Sequence, residues 1–169
     1  MNLTLAHIGS KSGSKPGKTG PKSQYDTLTR LYIDRITPYV PCQSEAFSSE
    51  TAFLSWLTHP RQSGKSTRLP ALPVLLDSHG RQFTSVEFAT WLGSRRDQGI
   101  QHIVFAIGPA DGWSSSTLQF MQESARTHSG LQLSFGPITM AHELARLVLA
   151  EQLYRACTIL SGHPYHSGH

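Results

Sequence analysis

Apolar positions along this chain follow two periods, one of alternation and one of helical recurrence, and together they predict where strands and helices lie. Leu3, Leu5 and Ile8 stand among Thr4, Ala6 and His7, the approximate alternation of a half-buried opening strand. Tyr25, Leu28, Tyr32 and Ile36 recur at helical spacing, as do Phe47, Leu54 and Leu57, so two amphipathic helices are predicted before residue 58, with Pro38 and Pro41 between them. The apolar run at 72–76 predicts a strand that stops in a turn at Asp77, Ser78, His79 and Gly80. Thr84 with Glu87 three residues on forms a capping box, and Val86, Phe88, Trp91 and Leu92 give the helix behind it an apolar side. A buried strand at 102–107 halts at Gly108 and Pro109, Leu118, Met121 and Ala125 mark a helix, and Leu131, Leu133 and Phe135 alternate as a further strand.

Strands alternating with helices predict a parallel sheet with crossover connections, an α/β layered fold whose ligands lie at the carboxyl ends of strands. That rule points to Leu76, Gly108 and Phe135. The last helix is predicted over 141–160, stopped by Gly162 and Pro164. Its apolar residues, from Leu144 to Leu160, spread around most of its circumference. Two readings fit: one side covers a partner subunit, or the helix is central to one large core.

At 169 residues the chain is expected to be a single domain, 1–169, within the roughly 100–200 residues of one folding unit. Hydrophobic residues at 38% and charged residues at 15% exclude wholesale disorder and a fibrous protein. Fifteen Lys and Arg against eleven Asp and Glu give a formal charge of +4, which favours polyanionic partners without identifying one. The basic, Gly- and Ser-rich stretch at 9–22, with Lys11, Lys15, Lys18 and Lys22, reads either as a solvated loop or as an RNA-contacting arm. Residues 58–70, with Arg61, Lys65 and Arg68, read as a second exposed connection. Two cysteines, Cys42 and Cys157, are too few for a disulfide framework, which suits a reducing cytoplasm. The opening residues show no basic leader or cleavage pattern and no segment reaches a membrane span, so a soluble, unexported protein is expected.

Some motifs fail on inspection. Ser63-Gly64-Lys65-Ser66-Thr67 resembles a phosphate-binding loop, but the leading glycine position is His59, no strand precedes it, and Pro70 and Pro73 stand where the helix should begin. Gly17-Lys18-Thr19 fails likewise, with Ser12 at the leading position. His163, His166 and His169 recur every third residue in the tail. Neither carboxylate nor thiol accompanies them, so no dedicated metal site is predicted; a hydrolase built on them would need stoichiometric zinc.

The second half of the chain is more specific. "IGPADG" at 107–112, "LSFGPITMAHELARLVLAEQLYRA" at 133–156 and "GHPYH" at 162–166 resemble the RlmH family of SPOUT methyltransferases, as do "LAHIGSK" at 5–11 and "VLLDSHGRQFTSVEFATWL" at 74–92. Residues 12–70 match poorly. The resemblance implies a SPOUT-type α/β fold, a parallel sheet flanked by helices whose C-terminal segment threads a trefoil knot, an exception to the usual avoidance of knots. It implies a homodimer that buries the last helix, S-adenosyl-L-methionine as cofactor, and methyl transfer to N3 of a pseudouridine in large-subunit ribosomal RNA, free or within the ribosome. The implied cofactor pocket comprises Leu76, Gly108, Phe135, Gly136, Pro137, Ile138, Thr139 and Met140, where glycines admit the backbone closely and apolar side chains pack on a ring. Two departures stand out: Pro109 where a second glycine is usual, and Ala141 where proline commonly precedes the histidine. Pro109 removes an amide donor and fixes φ.

Methyl transfer to N3 calls for a base or a cation near a weakly acidic N–H. Arg155 is the first candidate, although with Glu151 one turn earlier it also reads as a helix-surface ion pair. His142, Tyr165 and His166 are candidates to orient the base, within one chain or across a dimer. A ribosome-binding assembly factor with the same fold and no transfer activity is the alternative, and Pro109 is its sequence support.

Overall fold

Five strands pair in parallel in a computed structural model that describes residues 1–9, 23–58, 71–128 and 130–166. They are β1 (Asn2–Ile8), β2 (Cys42–Phe47), β3 (Leu72–Gln82), β4 (His102–Ile107) and β5 (Leu131–Ser134), in the order β2-β1-β4-β3-β5. Between them run α1 (Gln24–Ile36), α2 (Glu50–Thr58), α3 (Ser85–Asp97) and α4 (Ser115–His128). The chain continues through α5 (His142–Leu160) to a short 3-10 turn, Pro164–His166. The basic loops expected over 9–22 and 58–70 fall almost wholly outside the described residues, together with both motifs that resemble phosphate loops.

Alternation along each strand divides the core in two. Leu3, Leu5, Leu72, Val74, Ile103, Phe105 and Ile107 face α1, α3 and α5, where Ile33, Ile36, Phe88, Trp91, Leu149 and Leu153 cover them. Ala6, Ile8, Leu75, Val104 and Ala106 point the other way, onto Phe53 of α2 and Met121 of α4. The sheet is thus covered on both faces, as an all-parallel sheet requires.

The helix start at Thr84 forms as its sequence predicts: the Glu87 amide donates to Thr84 Oγ1 and the Thr84 amide donates to the Glu87 carboxylate. Those bonds hold the Glu87 carboxyl below its ordinary pKa. Two expectations are corrected. Phe47 does not open a helix; it ends β2, an edge strand that pairs with β1 from Leu3↔Cys42 to Ile8↔Phe47. Nor does β3 stop at Leu76. Leu76 and Arg81 both pair with Leu133, so Asp77, Ser78, His79 and Gly80 loop out of the ladder as a bulge before the strand resumes. Gly80 is required there, because a Cβ would fall 2.6 Å from the Gln132 carbonyl carbon.

Candidate active site

The carboxyl ends of β3, β4 and β5 open into one cavity of about 700 Å³, inside the usual range of small-ligand sites. The β3 bulge forms one wall with Asp77, Ser78 and His79, and the turn after β4 forms another. The loop between β5 and α5 closes the third side. Of the residues expected in a cofactor pocket, Leu76, Gly108, Phe135, Gly136, Ile138, Thr139 and Met140 line this space, and Pro137 is not among its lining residues. Pro109 lines it too without closing it.

Local bonds explain why the walls stand where they do. Ser134 Oγ accepts from the Gly136 amide at 3.0 Å and lies 3.1 Å from the Ser78 carbonyl, which ties the start of the β5–α5 loop to the bulge. Gly136 takes φ 110° and Gly112 φ 83°, backbone states that favour glycine and let each loop turn back over the strand ends. Asp77 Oδ1 accepts from the His79 amide at 2.8 Å, an Asx-type turn that fixes the bulge. After β4, Trp113 folds across its neighbour strand and donates from Nε1 to the Leu76 carbonyl at 2.7 Å.

The four expected catalytic residues divide. His142 is the first residue of α5 and lines the cavity. Its ring sits 5.9 Å from that of His7 on β1, and His142 Nε2 and His7 Nδ1 are buried with no hydrogen-bond partner among the described residues. Burial, followed by the Arg146 guanidinium, depresses the His142 pKa below its ordinary value. The same two causes, helped by His142, bring His7 down to about 4. Both rings are therefore neutral at pH 7. Arg146 itself is held by Asp26 of α1 at 3.0 Å.

Arg155 and Tyr165 lie elsewhere. Arg155 grips Glu151 Oε1 from Nη2 at 2.8 Å and from Nε at 3.0 Å, and its guanidinium sits 5.1 Å from the Tyr165 ring centroid. Tyr165 packs edge-on against Tyr154 at 4.8 Å. Burial, with Tyr32 and Glu151 adding, pushes its phenol up to about 12, so it remains protonated and can donate. His166 closes the 3-10 turn, and its side chain lies outside the described residues. The pairing of Arg155 with Glu151 matches the ion pair expected from the sequence, at one-fifth exposure for each side chain. Neither His7 nor Trp113 is among the residues expected at a site: His7 lies in the 5–11 stretch that carries part of the resemblance but alternation marks it only as a strand residue, and nothing in spacing marks Trp113.

A parallel sheet with a glycine-turned cavity at its carboxyl edge defines an α/β protein of the kind that binds a small cofactor beyond its strand ends. Residues 15–166 match the family model described as "Predicted SPOUT methyltransferase". A ribosomal RNA large subunit methyltransferase H from Koribacter versatilis is 45% identical over 153 residues, covering 90% of this chain and 94% of its own. Proteins of the same name from Allorhizobium ampelinum and Xanthobacter autotrophicus are 38% identical over 162 residues and 36% over 178, covering 88% and 98% of this chain and 92% and 99% of theirs. The chain belongs to the SPOUT methyltransferase family.

Proposed function

We propose that this protein transfers a methyl group from S-adenosyl-L-methionine to N3 of a pseudouridine in large-subunit ribosomal RNA, working as a cytoplasmic homodimer whose C-terminal segment is knotted. The observation that carries the reading is the cavity itself, which suits that cofactor by volume and by make-up. Gly108 and Gly136 bring main-chain groups within reach of a purine edge, Leu76, Ile138 and Met140 offer apolar surface, and the carboxylates of Asp77 and Asp111 suit a ligand bearing positive charge. When bound, the cofactor supplies a methyl group already activated on its sulfonium.

The protein's share of the chemistry is then alignment, proton removal and charge stabilisation. His142 suits the second task. His142 lines the cavity and its depressed pKa keeps the ring neutral, so it is the group suited to take the N3 proton. Arg155 and Tyr165 suit the third task through cationic and phenolic donors. On one chain they cannot reach. Arg155 stands thirteen positions after His142 on α5, roughly 20 Å along the axis at about 1.5 Å per residue. A second copy supplies them, with Tyr165 and His166 completing the site across the dimer. The exposed apolar residues Tyr25, Leu28 and Leu31 on α1 and Leu144 and Leu160 on α5 support such a partner. Among the described residues no helix is long and apolar enough to cross a membrane.

The test uses purified protein, methyl-labelled cofactor, and either free ribosomal RNA or assembled ribosomes. Label is expected at N3 of a pseudouridine in at least one substrate. Failure of both to accept methyl, under conditions where cofactor binds, would end this reading.

A further inference from the structure

Trp113 is held more tightly than a turn residue needs to be. Its Nε1 donates to the Leu76 carbonyl at 2.7 Å, and its indole lies so close to Gly108 that a Cβ there would meet Cε2 at 2.9 Å and Cδ2 at 3.0 Å. Leu76 and Ile107 are register partners, so the ring spans the ends of two adjacent strands. The next residue is fixed as well: the Ser114 amide and hydroxyl and the Thr117 hydroxyl all donate to the Glu50 carboxylate of α2. On its inner side the indole packs against the apolar cluster beneath α2, with Phe53 at 6.0 Å. Its remaining surface lines the cavity that Phe135 and Ile138 bound from the β5–α5 loop. Burial alone would account for a bonded indole N–H. It does not require the partner to be the strand-end carbonyl of a ligand cavity, nor the ring to replace a side chain at Gly108.

We propose that Trp113 selects the adenine end of the cofactor, its indole forming a pinned aromatic wall on which the purine stacks. The proposal rests on the methyltransferase reading above and adds a residue to it. An electron-rich indole attracts a flat heteroaromatic ring by offset stacking, and a wall anchored at Leu76 and Gly108 needs no reordering when the ligand arrives. Because the Leu76 carbonyl already accepts from Trp113, polar reading of the purine edge falls chiefly to the main chain at Gly108 and 135–140.

Two probes separate the adenine end from the rest: S-adenosylmethionine and adenosine, titrated by calorimetry and by intrinsic fluorescence. The wild-type protein is expected to bind both, and Trp113→Leu to weaken both by a similar factor of about ten, with its thermal transition still cooperative. As a measurement that leaves Trp113 in place, a Trp56→Phe, Trp91→Phe double variant isolates its emission, which adenosine is expected to quench and to shield from acrylamide. Unchanged affinity in Trp113→Leu overturns the proposal. So does a loss confined to S-adenosylmethionine, or an isolated emission that adenosine leaves unaltered. If the wild-type chain binds neither probe, the methyltransferase reading itself falls and takes this assignment with it.

Discussion

The cavity at the strand ends and the cluster on the last turns of α5 are built from different materials. Around the cavity, glycine turns, the Leu76 carbonyl and one pinned indole do the shaping, and His142 brings an imidazole of the expected catalytic set. On α5 the work is done by long side chains: Arg155 on Glu151, Tyr165 on Tyr154, Arg35 within 6 Å of the Tyr32 and Tyr154 rings. A cavity walled by strand ends and turns is preorganised by the fold. A side-chain cluster with a protonated phenol and a paired guanidinium can be presented to a neighbour and finished there. Under the proposed function, the difference assigns cofactor binding and removal of the acceptor proton to one subunit, and charge stabilisation to the other.

The largest expected effect tests that division directly. His142→Gln should lower kcat about 100-fold or more, the usual worth of a general base, with cofactor affinity within twofold by calorimetry. Arg155→Ala should also lower kcat and spare cofactor affinity. Mixed dimers of these two inactive variants should regain about a quarter of wild-type activity, because half the dimers then carry one whole site. Absence of any recovery would place both residues in one subunit's site and break the comparison. In the wild type, the acid limb of the kcat/KM profile should fall below the ordinary histidine pKa of 6.5, since burial and Arg146 depress His142.

A smaller effect belongs to the cavity floor. Gly108→Ala drives a methyl group into the Trp113 ring, and overpacking of about 1–3 kcal/mol should reduce cofactor affinity about tenfold while kcat at saturation holds. Next comes His7. Its folded pKa is depressed to about 4 from 6.5, so its contribution to stability is present above pH 6.5 and is lost as pH falls toward 4. His7→Leu removes that titration and should make unfolding free energy fall less steeply between pH 7 and 5, by about 1–2 kcal/mol after allowance for partial solvent screening. Urea titrations at the two pH values measure it. The smallest effect lies farthest from both regions: Thr84→Ala breaks the capping box and should cost about 1 kcal/mol, a few degrees of Tm, without changing kcat or cofactor affinity.

The parts of the molecule legible in its sequence are those where period and chemistry coincide. Leu3 and Leu5 are read by approximate alternation, whereas Val74, Ile103 and Phe105 are read from continuous apolar runs, because β3 and β4 are buried on both faces. The cap at Thr84 is read by its partner at Glu87. β2 escaped because an edge strand of sequence CQSEAF holds its place by backbone pairing with β1 and needs little apolar alternation; Phe47, at its end, joins the aromatic cluster of Phe53 and Trp56 instead. The cavity's walls are visible only as turn residues, glycine and proline, whose spacing says where the chain bends and not what it encloses. Family resemblance joined them into a site. Trp113 is invisible at both levels, since its role depends on the register of two strands that meet only after folding.

The excursion of β3 has a further use. Leu76 and Arg81 return to the same partner, so the four residues between them contribute nothing to the ladder's register. Evolution can therefore edit that segment in length or charge and retune what enters the pocket without resetting the sheet, provided the residue pressed against Gln132 stays without a side chain. The stretch that walls the cavity and the stretches that set the sheet's register are thus separate parts of one strand.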